Sequence, residues 1–212
     1  MPVTTIEAHE QSWPLDKPFR ISRGTRTEAR IVVVTVTDGR HIGRGEAVPI
    51  RRYNQSPASV LTQIESIKSR QGLNRQEIQK LLPAGAARNA LDCALWDLEA
   101  KMSGKRAWEL AKIPFVHEVE TSFTISLDTP AAMAAAAKAN ATAPILKLKL
   151  GGGDFDLARV EAAREAAPVA RLLAGAVDYV DLDGPLLLAG DRHHAVPYAN
   201  GRIGIPPREL WG

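Results

Sequence analysis

The sequence predicts two successive units, an α+β unit over residues 1–120 and a parallel α/β region over residues 121–212. Three observations predict it. A β-branched run, Ile31 to Thr37, ends at the turn signal Asp38-Gly39. Ala86 to Met102 carries Ala87, Ala90, Leu91, Ala94, Leu95 and Leu98 on one helical face. After Pro114 the pattern alternates strand, helix, strand, helix, the signature of a parallel sheet with covering helices.

The first unit opens with a strand from Val3 to Glu7, then pairs Ile31–Thr37 with a return strand Ile42–Ala47. From Ala58 the spacing of Val60, Ile64 and Ile67 is helical, and Leu73-Asn74-Arg75-Gln76-Glu77 reads as a second, capped helix start. Pro83-Ala84-Gly85 breaks the chain before the long apolar helix, which Gly104 closes. On that helix Asp97 and Lys101 stand four apart, most simply a surface pair contributing a few tenths of a kcal/mol.

In the second unit the strands are Ser122–Leu127 and Ile145–Leu150, and the helices are Pro130–Asn140 and Phe155–Ala167. Thr129-Pro130 places proline where a helix start tolerates it. Tyr179–Asp183 is a further strand, and the tail from Leu186 has Gly/Pro/Arg-rich turns that need no helix.

Composition narrows the class. The 212 residues are 45% hydrophobic, enough for a sizeable core. The net charge of +3 is spread without a basic block, which points away from nucleic acid. The start lacks a charged and then apolar leader and no apolar run approaches a membrane span, so a cytoplasmic address is expected. The single cysteine, Cys93, cannot form an intrachain disulfide and fits a reducing compartment.

Several patterns carry chemistry. Lys147 and Lys149 alternate along Ile145-Leu146-Lys147-Leu148-Lys149-Leu150, so both ammonium groups leave one face of the strand. If that face is inward, mutual repulsion and desolvation lower their pKa and make a general base; if it is wet, they are ordinary surface lysines. Asp181 and Asp183, in Asp181-Leu182-Asp183-Gly184, repeat the geometry at a strand's C-terminal end, the ligand side of βα folds. They suit an ammonium or a metal, or simply a solvated turn. Gly151-Gly152-Gly153 lacks the spacing of a nucleotide fingerprint and reads better as a βα loop than as a phosphate cradle. Arg20, Arg23 and Arg26 could clamp a carboxylate or stud a solvated strand edge, and His193-His194 beside Asp191 is a weak metal candidate in a polar tail.

Ala86-Ala87-Arg88-Asn89-Ala90-Leu91-Asp92-Cys93-Ala94-Leu95-Trp96-Asp97-Leu98 resembles the helix preceding the barrel in the enolase superfamily. Lys147-Leu148-Lys149 is similar to that superfamily's Lys-x-Lys motif on the second barrel strand, and Asp181-Leu182-Asp183-Gly184-Pro185 to the last-strand motif of the L-Ala-D/L-Glu epimerases. The likeness runs from about residue 3 to 172 and resumes near Ala176. It implies an α+β N-terminal capping domain followed by a truncated, incomplete α/β barrel of enolase (TIM) type, with a deletion junction near 172–176.

The resemblance also implies roles. Lys149 would take the α-proton of a dipeptide, with Lys147 tuning it. Asp181 and Asp183 would hold the terminal ammonium, Thr124 would lie near the substrate, Arg23 or Arg26 would meet the glutamyl carboxylate, and Tyr53 would sit in a covering loop. Mg²⁺ is the family's cofactor. The acidic metal ligands and the opposing lysine belong to the segment between Leu172 and Ala176 that this chain lacks, so the expectation is a murein-type dipeptide epimerase impaired as it stands. The alternatives are a non-catalytic dipeptide-binding or self-associating remnant and an o-succinylbenzoate synthase or N-acylamino acid racemase. Residues 121–212 are too few for the roughly 250 of a complete barrel, so an open sheet edge and a homo-oligomer are expected. Because only Ala174–Asp178 separates the two candidate strands, either the two pair antiparallel or, as a right-handed strand–helix–strand unit favours, Val169–Leu173 is loop and Tyr179–Asp183 the next parallel strand. The acidic pair then occupies either the third-strand or the last-strand slot.

Overall fold

The structure is a computed structural model that describes residue 3 and residues 5–113, 118–167, 171–172 and 182–210. Its contacts divide the chain into two compact units, Met1–Ser12 with Ala29–Val116 and Pro206–Gly212, and Trp13–Glu28 with His117–Ile205.

A three-stranded sheet has the order β1 (Thr5–Ile21), β2 (Gly24–Thr37), β3 (Ile42–Ala47), and the distal part of its β1–β2 hairpin, Trp13–Glu28, belongs to the second unit. β2 and β3 pair antiparallel, Val34 opposite Gly45 and Thr37 opposite Ile42. The predicted turn joins them, with Gly39 at φ 94° and the Asp38 carboxylate accepting the N–H groups of Arg40 at 2.8 Å and His41 at 2.6 Å. The His41 N–H above all holds that carboxyl well below the usual carboxylate range.

Helices α1 (Pro57–Glu65), α2 (Arg75–Leu81), α3 (Ala86–Ser103) and α4 (Ala107–Leu110) follow. Ser56 caps α1 reciprocally with Ser59, and the Asn74 side chain accepts the N–H groups of Gln76 and Glu77 at 2.9 and 3.0 Å. The core joins Val32, Val34 and Val36 of β2 to Val60 and Ile64 of α1, Ile78 of α2 and Leu91 of α3. α3 lies tightly on β3: a Cβ at Gly43 would collide with the Ala94 carbonyl, and one at Gly45 with that of Ala90.

That close approach corrects the surface reading of Asp97. The residue is fully buried; its carboxylate accepts the Arg44 N–H at 2.8 Å and Lys101 Nζ at 2.7 Å, and Lys101 also donates to the Ile42 carbonyl at 2.9 Å. The glycines of β3 admit the helix, and the helix shuts Asp97 from water.

In the second unit β4 (Val119–Glu120), β9 (Arg202–Ile203) and β8 (Tyr198–Ala199) form an antiparallel sheet, and β5 (Phe123–Ile125), β6 (Ile145–Leu148) and β7 (Arg171–Leu172) a parallel one. α5 (Pro130–Ala139) and α6 (Asp156–Ala166) are the crossovers, and Ile125, Met133, Ala137, Leu146 and Ala163 make their core. Burial of Ile125 or Leu146 contributes roughly 1.5–3 kcal/mol each. Thr129 caps α5, accepting the Ala132 N–H at 3.3 Å.

Three expectations need correction. Arg171–Leu172 is not loop: it pairs in parallel with Ile145–Leu146, because the crossover through α6 is long enough to return the chain to the free edge of β6. β1 runs to Ile21 instead of stopping at Glu7. Gly184–Leu187 is a 3₁₀ turn with Pro185 near its start. Of the expected strand Tyr179–Asp183, residues 179–181 lie outside the described residues, and Leu182 and Asp183 precede that turn without pairing as a strand. The second unit is a partial α/β region, with no closed barrel among the described residues.

Candidate functional site

β5 and β6 lie in parallel register with Thr124 opposite Lys147. Lys149 follows β6, its N–H donating to the Ile125 carbonyl at 3.0 Å, so the strand alternation of Lys147 and Lys149 persists past the last ladder residue. Both lysines are half-buried. Lys149 is held below the usual lysine range, first by burial, then by the charge and a side-chain hydrogen bond of Lys147, and further by Arg23; Asp183 pulls the other way. Its Nζ stands 5.9 Å from the centre of the Phe19 ring.

Asp183 lies on the other side of β5. It is 6% exposed, and its Oδ2 accepts the backbone N–H of Thr124, itself 5% exposed, at 2.6 Å. The preceding residue is held too: Leu182 N–H donates to Thr121 Oγ1 at 3.3 Å, and its carbonyl accepts the Tyr198 hydroxyl at 2.6 Å. Leu182 and Asp183 therefore stand beside β5, while Arg171–Leu172 fills the place next to β6.

The tip of the β1–β2 hairpin borders the same site. Arg20 N–H donates to Ser126 Oγ at 2.6 Å, its carbonyl accepts Leu127 N–H at 3.0 Å, and Pro14 accepts Ala189 N–H at 3.0 Å. These bonds carry Phe19 and, at the turn after β1, Arg23 toward Lys149.

The structure thus brings Lys147, Lys149, Thr124, Asp183 and Arg23 together. Arg26 is exposed on β2, and Tyr53 is 64% exposed in a 3₁₀ turn, Arg51–Tyr53, of the first unit. Asp181 lies outside the described residues. Phe19, Ser126, Thr121 and Tyr198 were missed; for Phe19 the signal was Trp13, Leu15, Phe19 and Ile21 at alternate positions, half-buried along β1. The glycine loop is satisfied internally, since Asp156 accepts the N–H groups of Gly151 and Gly152 at 3.0 and 2.7 Å.

Among the described residues the donor set does not fit a divalent metal. Mg²⁺ takes several oxygen ligands in near-octahedral array, and no three His, Cys, Asp or Glu side chains cluster suitably among the described residues, those beside His193 and His194 included. One oxygen of Asp183 is already committed to Thr124. Cys93 is half-buried, and burial pushes its thiol up, away from reactivity.

Residues 3–111 match the mandelate racemase / muconate lactonizing enzyme N-terminal domain. The chain is 44% identical over 176 residues to the L-Ala-D/L-Glu epimerase of Escherichia coli strain K12, a match covering 81% of this chain and 54% of that enzyme. A crystal structure of an enolase family member from Agrobacterium tumefaciens with homology to dipeptide epimerases, with bound sodium and L-Ala-L-Glu, superposes with TM-score 0.91 at 30% identity, covering 98% of this chain and 99% of that one. The dipeptide epimerase of Enterococcus faecalis, complexed with Mg and L-Leu-L-Tyr, superposes with TM-score 0.71 at 28% identity over 81% and 52% of the two chains. The chain spans about half the length of the E. coli enzyme and of most curated relatives it matches. A capping domain recognised over 109 residues, an E. coli relative matched over four-fifths of the chain and the Lys-x-Lys strand beside Thr124 point the same way: the protein belongs to the dipeptide epimerases of the enolase superfamily.

Proposed function

We propose that this chain is an internally shortened L-Ala-D/L-Glu epimerase, with a capping domain over 1–120, a barrel remnant over 121–212 and a junction near 172–176, that binds the dipeptide but does not epimerise it alone. The observation that carries the reading is the placement of Lys149 and Asp183 around β5, a base held below the usual lysine range and a buried carboxylate. The match to the E. coli enzyme, covering 81% of this chain but 54% of that one, supports a chain shorter than that relative.

In this reading Lys149 faces the α-hydrogen of the C-terminal residue and accepts that proton, with burial and then Lys147 holding it below the usual lysine range. Asp183, with Asp181, receives the N-terminal ammonium; Arg23 receives the glutamyl side chain, and Thr124 lines the floor. Removing a proton beside a carboxylate builds charge that relatives meet with a metal, and no matching donor set stands among the described residues. Re-protonation on the opposite face falls, in this reading, to a lysine of the lost segment.

The purified protein in deuterated water with L-Ala-L-Glu and Mg²⁺ is expected to leave the Cα proton unexchanged; exchange followed by NMR overturns the inactive reading. Calorimetric titration with L-Ala-D-Glu, with and without Mg²⁺, is expected to show metal-independent binding. The buried carboxylate favours a free ammonium over the acylated substrates of o-succinylbenzoate synthases and N-acylamino acid racemases. A second reading, a self-associating remnant, is favoured by the parallel sheet β5-β6-β7, which ends without closing among the described residues; light scattering that returns a monodisperse monomer counts against it.

A further inference from the structure

Leu182, between the two acidic residues, is held by its backbone alone. Its side chain is 54% exposed, so apolar burial does not position it. Both of its backbone polar groups are nevertheless engaged, the N–H by Thr121 Oγ1 at 3.3 Å and the carbonyl by the Tyr198 hydroxyl at 2.6 Å. The carbonyl of Leu182 lies in the same planar peptide unit as the Asp183 N–H, so fixing that oxygen fixes the plane from which the Asp183 side chain departs.

The two clamps are mechanically joined. Tyr198 opens β8, and the turn to β9 runs through Asn200 at φ 51° and Gly201 at φ 72°. Gly201 then accepts the backbone N–H of Thr121 at 2.8 Å, and Thr121 is 1% exposed. The hairpin that carries the tyrosine, which holds the Leu182 carbonyl, therefore also sets the threonine that holds the Leu182 N–H.

We infer that Tyr198 is a positioning residue for the ammonium site: its hydroxyl, working against Thr121, orients the Asp183 carboxylate for a ligand's terminal ammonium. The inference rests on the proposed role of Asp183. Burial, reinforced by the charges of Asp183 and Asp191, pushes the Tyr198 phenol above its usual range, which keeps the hydroxyl a donor.

The test is calorimetric titration of wild type, Tyr198→Phe, Thr121→Val and Thr121→Ser with L-Ala-L-Glu and with N-acetyl-L-Ala-L-Glu, folding being checked by circular dichroism. Wild type should prefer the free dipeptide. Tyr198→Phe and Thr121→Val should bind it roughly three- to tenfold more weakly, the range of one net hydrogen bond, with unchanged affinity for the acetylated ligand. Thr121→Ser, which keeps the hydroxyl, should restore the wild-type ratio. A folded Tyr198→Phe that retains that ratio, or loses affinity equally for both ligands, overturns the positioning role; should it not fold, Thr121→Val decides by the same criterion. A wild type indifferent to acetylation overturns the ammonium role of Asp183 and this inference with it.

Discussion

Asp97 and Lys101 form an ion pair 2.7 Å long, with the carboxylate wholly buried and the lysine side chain 17% exposed, and each also bonds the backbone of β3. The pair ties the long helix of the capping domain to the sheet at Ile42 and Arg44. Removing one partner strands the other without solvent. Asp97→Ala should cost about 3–5 kcal/mol, read as a lower urea midpoint at constant slope. Lys101→Met should cost at least as much, since it leaves the wholly buried carboxylate without its cation.

Gly45→Ala should destabilise by about 1–3 kcal/mol or more, because the added methyl meets the Ala90 carbonyl and the Ala94 nitrogen, backbone atoms that cannot rotate away. Gly190→Ala, which meets nothing within 4 Å, is the matched control and should stay within about 0.5 kcal/mol. Equal melting temperatures for the two variants would refute the close packing of α3 on β3.

Lys149 should react with an amine-selective acylating reagent at lower pH than an ordinary lysine, as followed by peptide mass mapping across a pH series. Replacing Lys147 by methionine removes a neighbouring positive charge, which favours the charged form, so the Lys149 midpoint should rise while burial keeps it below 10.5. The linkage has a definite sign. With the folded pKa below the unfolded one, the unfolded chain binds more protons in that window, and stability should increase as pH rises through it. No change on Lys147→Met would separate the two lysines.

Asp156 is held below the usual carboxylate range, first by the Gly151 N–H and then by Gly152 and Arg159. The Gly151 and Gly152 amide resonances should therefore titrate together, below 3.8, in an acid series followed by NMR. Their share of stability is present above the unfolded value and is lost as pH falls through the folded one. In Asp156→Ala that titration should vanish. Persistence of it would place the loop's N–H groups elsewhere.

The parts legible in the sequence are those whose cause is local. Asn74 caps α2 and Thr129 caps α5 within three residues of the N–H groups they accept, and Asp38-Gly39 turns the chain through bonds to Arg40 and His41. Lys147 and Lys149 share a face because a strand repeats every two residues, and that holds in any fold.

What only tertiary structure decided involves partners distant in the chain. Arg171–Leu172 has little strand signal of its own and becomes a strand because the edge of β6 is free to receive it. Asp183 stands beside β5 through one bond, accepted from the Thr124 N–H across 59 residues. Asp97 is polar, in a helix, four residues from a lysine, a pattern identical for a wet pair and a dry one; the absence of side chains at Gly43 and Gly45 makes it dry. By itself the sequence determined the elements and the chemical groups they carry, since those follow from neighbours along the chain. Which groups meet, and how far water is kept from them, was decided by packing between segments, because burial and strand pairing are properties of pairs of surfaces.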